Sequence, residues 1–161
     1  MIDRLPRLDR IDLNILAELQ RQGRITNADL ADRVGLSPSP CLARVKRLER
    51  AGYIAGYGAR LDLAKLFRVQ VVYTSVTLDN HRREDFDTFE AGLRSVEELT
   101  ECHLVSGGFD YLLKFVVRDV AHYQSLVEGL LDRHIGISKY FSYIVIKSPI
   151  LRGEVSVKSL A

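Results

Sequence analysis

The four residues Gly35-Leu36-Ser37-Pro38 must end one helix and begin the next, and no other segment restricts the fold of this chain as much. Gly35 supplies the left-handed position that stops a helix. Ser37 is a helix N-cap, and Pro38 stands at the first helical position, where its missing N–H does no harm. Pro40 still lies in the first turn, before intrahelical bonding needs its N–H. Only Gly35 and Leu36 therefore separate two helices.

The helix before this junction starts at Thr26, because Thr26-Asn27-Ala28-Asp29 has the Ser/Thr-x-x-Asp/Glu capping pattern. Leu30, Ala31 and Val34 form its inner face. An earlier helix is expected from Asp9, with Asp12 in its first turn, where the helix dipole favours negative charge. Ile11, Ile15, Leu16 and Leu19 share a face at helical spacing, and Gly23 is expected to end this helix in the left-handed conformation.

The helix after the junction runs from about Pro38 to about Ala51. Its expected inner stripe is Cys41, Leu42, Val45 and Leu48. The opposite face carries Ser39, Ala43, Lys46, Arg47 and Arg50, with Arg44 to one side. A short helix, a tight glycine turn and a helix with a small, basic outer face form a helix-turn-helix arrangement. Ser37–Arg50 is the expected contact with duplex DNA. Small Ser39 and Ala43 admit the helix to a major groove, Lys46 and Arg47 reach base edges or phosphates, and Arg44 and Arg50 suit phosphates.

Net charge hides this. The 161 residues hold 23 Lys+Arg against 21 Asp+Glu, a balance of +2 that points away from nucleic acid. Residues 1–60 alone hold 11 against 7, and the remainder 12 against 14, so a basic front part (+4) precedes a mildly acidic one (−2). Gly and Tyr are frequent between Gly52 and Gly58, which reads as an extended linker or a short strand, and a brief helical turn is expected near Leu63–Leu66.

Cys41 and Cys102 stand far apart, with no CxxC and no Cys/His cluster, so neither zinc nor a redox pair is indicated, and both read as small buried hydrophobes. Met1–Pro6 lacks the apolar core of a signal peptide, and no apolar run approaches the ~20 residues of a membrane span. The chain is expected to be soluble and cytoplasmic.

From Val69 onward, strand and helix patterns alternate. Strands are expected over Val69–Leu78, Glu101–Ser106, Tyr111–Arg118 and Lys139–Ile146, and helices over Glu84–Ser95 and Ala121–Arg133. The order βαββαβ is ferredoxin-like, giving an α+β chain with helices on one face of an antiparallel sheet. Val69, Val71 and Tyr73 alternate with Val72, Val76 and Leu78, and Phe141, Tyr143 and Val145 with Tyr140, Ile144 and Ile146. Both sheet faces are apolar, so a second copy of the chain is expected on the uncovered one. Two recognition helices about one helical turn (~34–36 Å) apart would then read a roughly palindromic site.

The loop Leu104-Val105-Ser106-Gly107-Gly108-Phe109-Asp110 combines two glycines, whose backbone N–H groups can approach an anion, with an acid that can accept from an ammonium group. That pairing suits the two charged ends of a free amino acid, although Gly-Gly and Asp are also ordinary turn residues. Catalysis is not expected. Strand alternation puts His103 and Ser106 on opposite faces, and no nucleophile elbow, P-loop or dinucleotide fingerprint is present. His81, His122 and His134 fall near helix ends and are expected to face solvent. No metal or resident cofactor is expected.

Several runs are similar to the Lrp/AsnC (feast/famine) family of transcriptional regulators. They are Leu8–Leu16, Gly23–Ala31, Val34-Gly35-Leu36-Ser37-Pro38-Ser39-Pro40-Cys41-Leu42, Arg44–Glu49, Gly52–Tyr57, Glu101–Gly107 and Phe109–Lys114. The resemblance covers about residues 7–147. It implies a winged helix-turn-helix over residues 1–52, a linker over 53–66, a ferredoxin-like amino-acid-binding and dimerisation domain over 67–150, and a tail over 151–161. It further implies dimers that assemble into octamers or similar discs, and a small amino-acid effector, such as leucine, bound between dimers near the turn after the second strand. By resemblance, Leu104, Val105, Gly107, Asp110, Val120, Tyr143, Ile144 and Val145 match effector-response positions, beside Ser106 and Gly108 of the same loop. Gly108 departs from an Asp found in the family, which bears on ligand preference. Leu66-Phe67 replaces a frequent linker Gly, which bears on the angle between domains. An architectural DNA-wrapping protein without an effector, and a stand-alone amino-acid sensor or enzyme subunit whose front half is a protein-docking bundle, are the competing readings.

Overall fold

A computed structural model describes residues 7–151, 153 and 155–160. Met1–Pro6, read above for a leader, lies outside the described residues, as do Arg152, Glu154 and Ala161 of the tail. The chain forms two compact units, one running through Arg60 and resuming at Ile150, the other spanning Leu61–Pro149.

In the first unit, α1 (Arg10–Arg21), α2 (Asn27–Val34) and α3 (Pro38–Arg50) enclose a core of Ile15, Leu30, Ala31, Cys41, Val45 and Leu48. Caps set the starts. The Asp9 carboxylate accepts the Asp12 amide at 2.8 Å and the Asp12 carboxylate accepts the Asp9 amide at 3.0 Å, a reciprocal capping box. Thr26 Oγ1 accepts the Asp29 amide at 3.1 Å. Gly35 ends α2 in the left-handed region, at φ +70°.

Three local expectations are corrected. Gly23 is not left-handed: α1 closes at Gln22, whose N–H reaches Glu18 O while its own φ is −144°. Ser37 occupies the N-cap of α3 without a side-chain hydrogen bond, and the junction is instead tied by Asn27 Nδ2 donating to Pro38 O at 2.8 Å. Leu42 is 42 % exposed rather than inside, because Cys41, Val45 and Leu48 already fill the stripe facing α1 and α2.

The end of the chain belongs to this unit as well. A 3-10 turn, Val157–Ser159, packs on α1. Gln20 clamps the segment, donating to Val155 O at 2.9 Å and accepting from Val157 N–H at 3.4 Å.

The second unit contains a short α4 (Leu63–Leu66), then β1 (Gln70–Leu78), α5 (Arg83–Leu93), β2 (Leu99–Leu104), β3 (Tyr111–Val117), α6 (Val120–Leu131) and β4 (Ile137–Ile144). The sheet order is β2-β3-β1-β4, with every pairing antiparallel. Val72, Val76, Leu78, Tyr111, Leu113, Phe115 and Val117 alternate onto the face covered by Phe89, Leu93, Tyr123, Val127 and Leu130 of α5 and α6. Buried polar groups on that face are satisfied: Thr74 Oγ1 and Tyr123 OH are 2.7 Å apart, and Tyr123 OH and Ser142 Oγ 2.6 Å. Tyr73, Phe141 and Tyr143 alternate onto the other face, where Phe141 and Tyr143 remain 52 % and 56 % exposed.

Two side chains depart from expectation here. Cys102 is exposed, because β2 is an edge strand, whereas Cys41 is buried as expected. His122 is partly buried rather than solvent-facing, with Nε2 3.1 Å from Glu98 Oε1 and Nδ1 accepting from Arg118 Nε at 3.3 Å.

Candidate nucleic-acid interface and effector loop

Helix α3 follows Gly35, Leu36 and its N-cap Ser37, and presents Ser39, Ala43, Lys46 and Arg50 together as exposed residues. At ~100° per residue these four lie within a narrow arc. Ser37 is exposed at the helix start. Arg50 folds back along the helix, Nε donating to Lys46 O at 3.2 Å. Glu49 lies to the side and accepts from Tyr57 OH at 2.9 Å. Burial of that hydroxyl, then the hydrogen bond and charge of Glu49, push the Tyr57 pKa up to about 12. Tyr57 thereby pins the segment after α3 to the helix.

The other two cations of α3 are committed to α1. Arg44, expected at a phosphate, donates through Nη1 to Asp9 Oδ2 at 2.7 Å and to Asp12 Oδ1 at 2.8 Å. Arg47 Nη2 donates to Asp12 Oδ2 at 2.5 Å. Asp12 is fully buried, so its two carboxylate oxygens are held by two guanidiniums and one backbone amide. The Asp9 carboxyl is held below its usual pKa, first by the Asp12 amide and then by the Arg44 guanidinium. Reading the sequence missed this cluster. The signal was present: Asp12 stands three, four and seven residues before Ile15, Leu16 and Leu19, on the apolar stripe of α1. An acid buried at such a position needs cations or hydrogen-bond donors against it.

In the second unit, Asp110 shapes the loop after β2. Its amide donates to Val76 O at 2.9 Å, its carbonyl accepts from Val105 N–H at 2.8 Å, and its Oδ2 accepts from Leu78 N–H at 2.8 Å. His81 Nε2 lies 2.9 Å from the other carboxylate oxygen. Between these ties, the backbone N–H groups of Ser106, Gly107, Gly108 and Phe109 meet no acceptor among the described residues. Gly107 adopts φ +151°, which L side chains rarely adopt, and open space surrounds both glycines. Leu104 leads into the loop with 60 % of its surface exposed.

The other residues expected from the resemblance to respond to an effector lie elsewhere. Val120 begins α6, immediately beyond the far end of β3. Ile144 pairs with Val72, Tyr143 with Tyr73, and Val145 N–H donates to Val71 O, all toward that same far end. The length of β3 separates them from the glycine loop, roughly 20 Å at ~3.4 Å per residue. One chain does not bring the two groups together. At the far end, a cleft of about 770 Å³ is lined by Phe67, Val69, Glu98, Val116, Arg118 and His122.

No group of three or more metal-ligating side chains occurs among the described residues, and no helix among them is long and apolar enough to cross a membrane.

Residues 8–55 match the winged helix-turn-helix DNA-binding family, and residues 71–155 match the Lrp/AsnC ligand binding domain. The leucine-responsive regulatory protein of Salmonella typhimurium is 49 % identical over 140 residues, 87 % of this chain and 85 % of that protein. Its Escherichia coli K12 counterpart is 48 % identical over the same shares. A transcriptional regulator from Neisseria meningitidis, solved as a complex with L-Met, superposes with a TM-score of 0.87 at 32 % identity, covering 96 % of this chain and all of that one. An AsnC family regulator from Agrobacterium tumefaciens gives 0.88 at 30 %, with the same shares of both chains. The ligand-binding match over more than half of the chain, the winged reader in front of it and these relatives have one reading: the chain belongs to the Lrp/AsnC family of transcriptional regulators, with a DNA-binding helix-turn-helix and an amino-acid-binding domain.

Proposed function

We propose that this regulator reads duplex DNA through α3 and that a small amino acid held at the Val105–Asp110 loop changes its assembly or its DNA affinity. The observation that carries the first half is the exposed arc of Ser39, Ala43, Lys46 and Arg50, in which two small residues precede two cations on the helix that follows the junction. Ser37 and Arg47 border it. Arg44 supports it from behind through Asp9 and Asp12.

For the second half, the unpartnered amides of residues 106–109 suit a ligand carboxylate. Asp110 Oδ1 has lone-pair capacity beyond its His81 contact to accept an ammonium group. Leu104 offers apolar surface to the ligand side chain. A second copy bringing Val120, Tyr143, Ile144 and Val145 to the glycine loop completes the site, since one chain separates them. The copies pair through the open sheet face of Tyr73, Phe141 and Tyr143, and dimers assemble further into an octamer or similar ring. The protein works in the cytoplasm without a catalytic step, metal or resident cofactor.

Relatives named leucine-responsive and a neighbour holding L-Met make leucine and methionine the first effectors to test. Binding to duplex is measured across a salt series, with and without each amino acid. Affinity falling at about 0.9 log units per log unit of salt for each neutralised phosphate supports the DNA half. A response to no amino acid leaves an architectural DNA-wrapping protein. No duplex binding at any salt overturns the proposal.

A further inference from the structure

We infer that Asp12 sets the sequence discrimination of α3 by withholding two of its four cations from the phosphate backbone, an inference that rests on α3 reading DNA. Arg44, Lys46, Arg47 and Arg50 are the cations of α3. Arg44 Nη1 lies between two carboxylates, Asp9 at 2.7 Å and Asp12 at 2.8 Å, and Arg47 Nη2 is 2.5 Å from Asp12. Among the described residues, Lys46 and Arg50 face no carboxylate within salt-bridge distance.

Non-specific binding scales with the number of phosphates that cations neutralise, and it carries no sequence information. An arginine swung out on a flexible stem adds to that term on every sequence. Asp12 prevents this twice over. Its carboxylate is fully buried, so its charge is screened little and stays against the guanidiniums. It also fixes the Arg47 fork at one nitrogen while the side chain remains 43 % exposed, which leaves one orientation to offer a base edge. Arg47 Nε is buried without an acceptor, so the contact at Nη2, and no saturated network of its own, holds this pose. Fixing the fork beforehand reduces the ordering cost of a correct contact, and a wrong sequence gains nothing from it. Asp12 is thus a positioning residue that acts through Arg47 and Arg44.

The test uses the full chain on a random-sequence duplex and on a duplex recovered by binding-site selection, each across a salt series. Asp12→Asn keeps the shape and an oxygen acceptor but removes the charge. It is expected to steepen the salt dependence on random duplex by about 1–2, at ~0.9 per phosphate newly contacted. It should tighten binding there at low salt and lower the selected-to-random ratio at least about tenfold. Lys46→Gln is expected to flatten the salt dependence by about 0.9 and Arg44→Gln to leave it unchanged. If Asp12→Asn does not fold, this pair decides alone: a loss confined to Lys46→Gln supports the inference, and equal losses overturn it. A folded Asp12→Asn that weakens both duplexes in parallel at unchanged slope has lost only structure, and overturns this inference while leaving α3 as the reader. A wild-type chain that binds neither duplex overturns both.

Discussion

Asp110 Oδ2 accepts the Leu78 amide at 2.8 Å, so the acid that closes the glycine loop also fixes the last residue of β1. A charged, partly buried hydrogen bond of this kind contributes ~1.5–3 kcal/mol. Asp110→Ala is expected to destabilise the second unit by about that amount and to abolish the amino-acid response while leaving ligand-free DNA binding intact. Asp110→Asn retains an oxygen for Leu78 and is expected to recover most of the stability without the response. Denaturant unfolding and calorimetric titration with leucine and methionine separate the two roles. Normal ligand binding in the Ala variant removes Asp110 from the site.

Gly92 on α5 lies against Ile135, and a Cβ added there would fall 2.6 Å from Ile135 Cγ2. Alanine is the better helix former by ~1 kcal/mol, but overpacking a core costs ~1–3 kcal/mol. Gly92→Ala is therefore expected to lower stability despite the gain in propensity. Adding Ile135→Val, which trims the crowded side chain, should recover part of the loss. A Gly92→Ala chain more stable than wild type would show that the contact relaxes freely.

Acid should loosen the first unit through Asp9. Its folded pKa lies below the ordinary 3.8, because the Asp12 amide and then Arg44 favour the carboxylate. Its contribution is therefore fully present above the unfolded value and is lost as pH falls through the folded one. Melting temperatures of wild type and Asp9→Asn, taken from about pH 5 to about pH 2.5, should converge at the acid end. A constant difference across that range contradicts this role.

Phe141 stands 52 % exposed on the open sheet face. Phe141→Glu places a charge in the proposed contact between copies and is expected to give a monomer with unchanged circular dichroism. Light scattering after size exclusion checks the mass, and a variant that keeps the wild-type mass moves the interface elsewhere.

Much of this molecule was legible from local chemistry. Asp9, Thr26 and Gly35 mark helix ends because each satisfies or stops the backbone by itself. The strand and helix periods gave βαββαβ with boundaries shifted by a residue or two, and the alternation in β1 and β4 separated a covered face from an open one. What was not legible depends on partners distant in sequence. Arg44 and Arg47 are drawn to acids 32 and 35 residues away, so the charges of α3 counted alone do not show which of its cations are already paired. The residues that the resemblance groups as one effector site lie at two ends of the sheet, because β3 joins the loop to α6 across its whole length. Cys102 is exposed because its strand is at the edge, which the strand order decides and the strand itself does not.

The decisive measurement is the affinity of the full chain for a selected duplex, titrated with and without each of leucine and methionine at fixed salt. Coupling between effector and DNA sites is typically ~1–3 kcal/mol, about 5–150-fold. The predicted result is a shift of that size, or a change in stoichiometry, for at least one of the two, lost in Asp110→Ala. Superimposable curves for both, and for the remaining amino acids in turn, would contradict an effector-controlled reader.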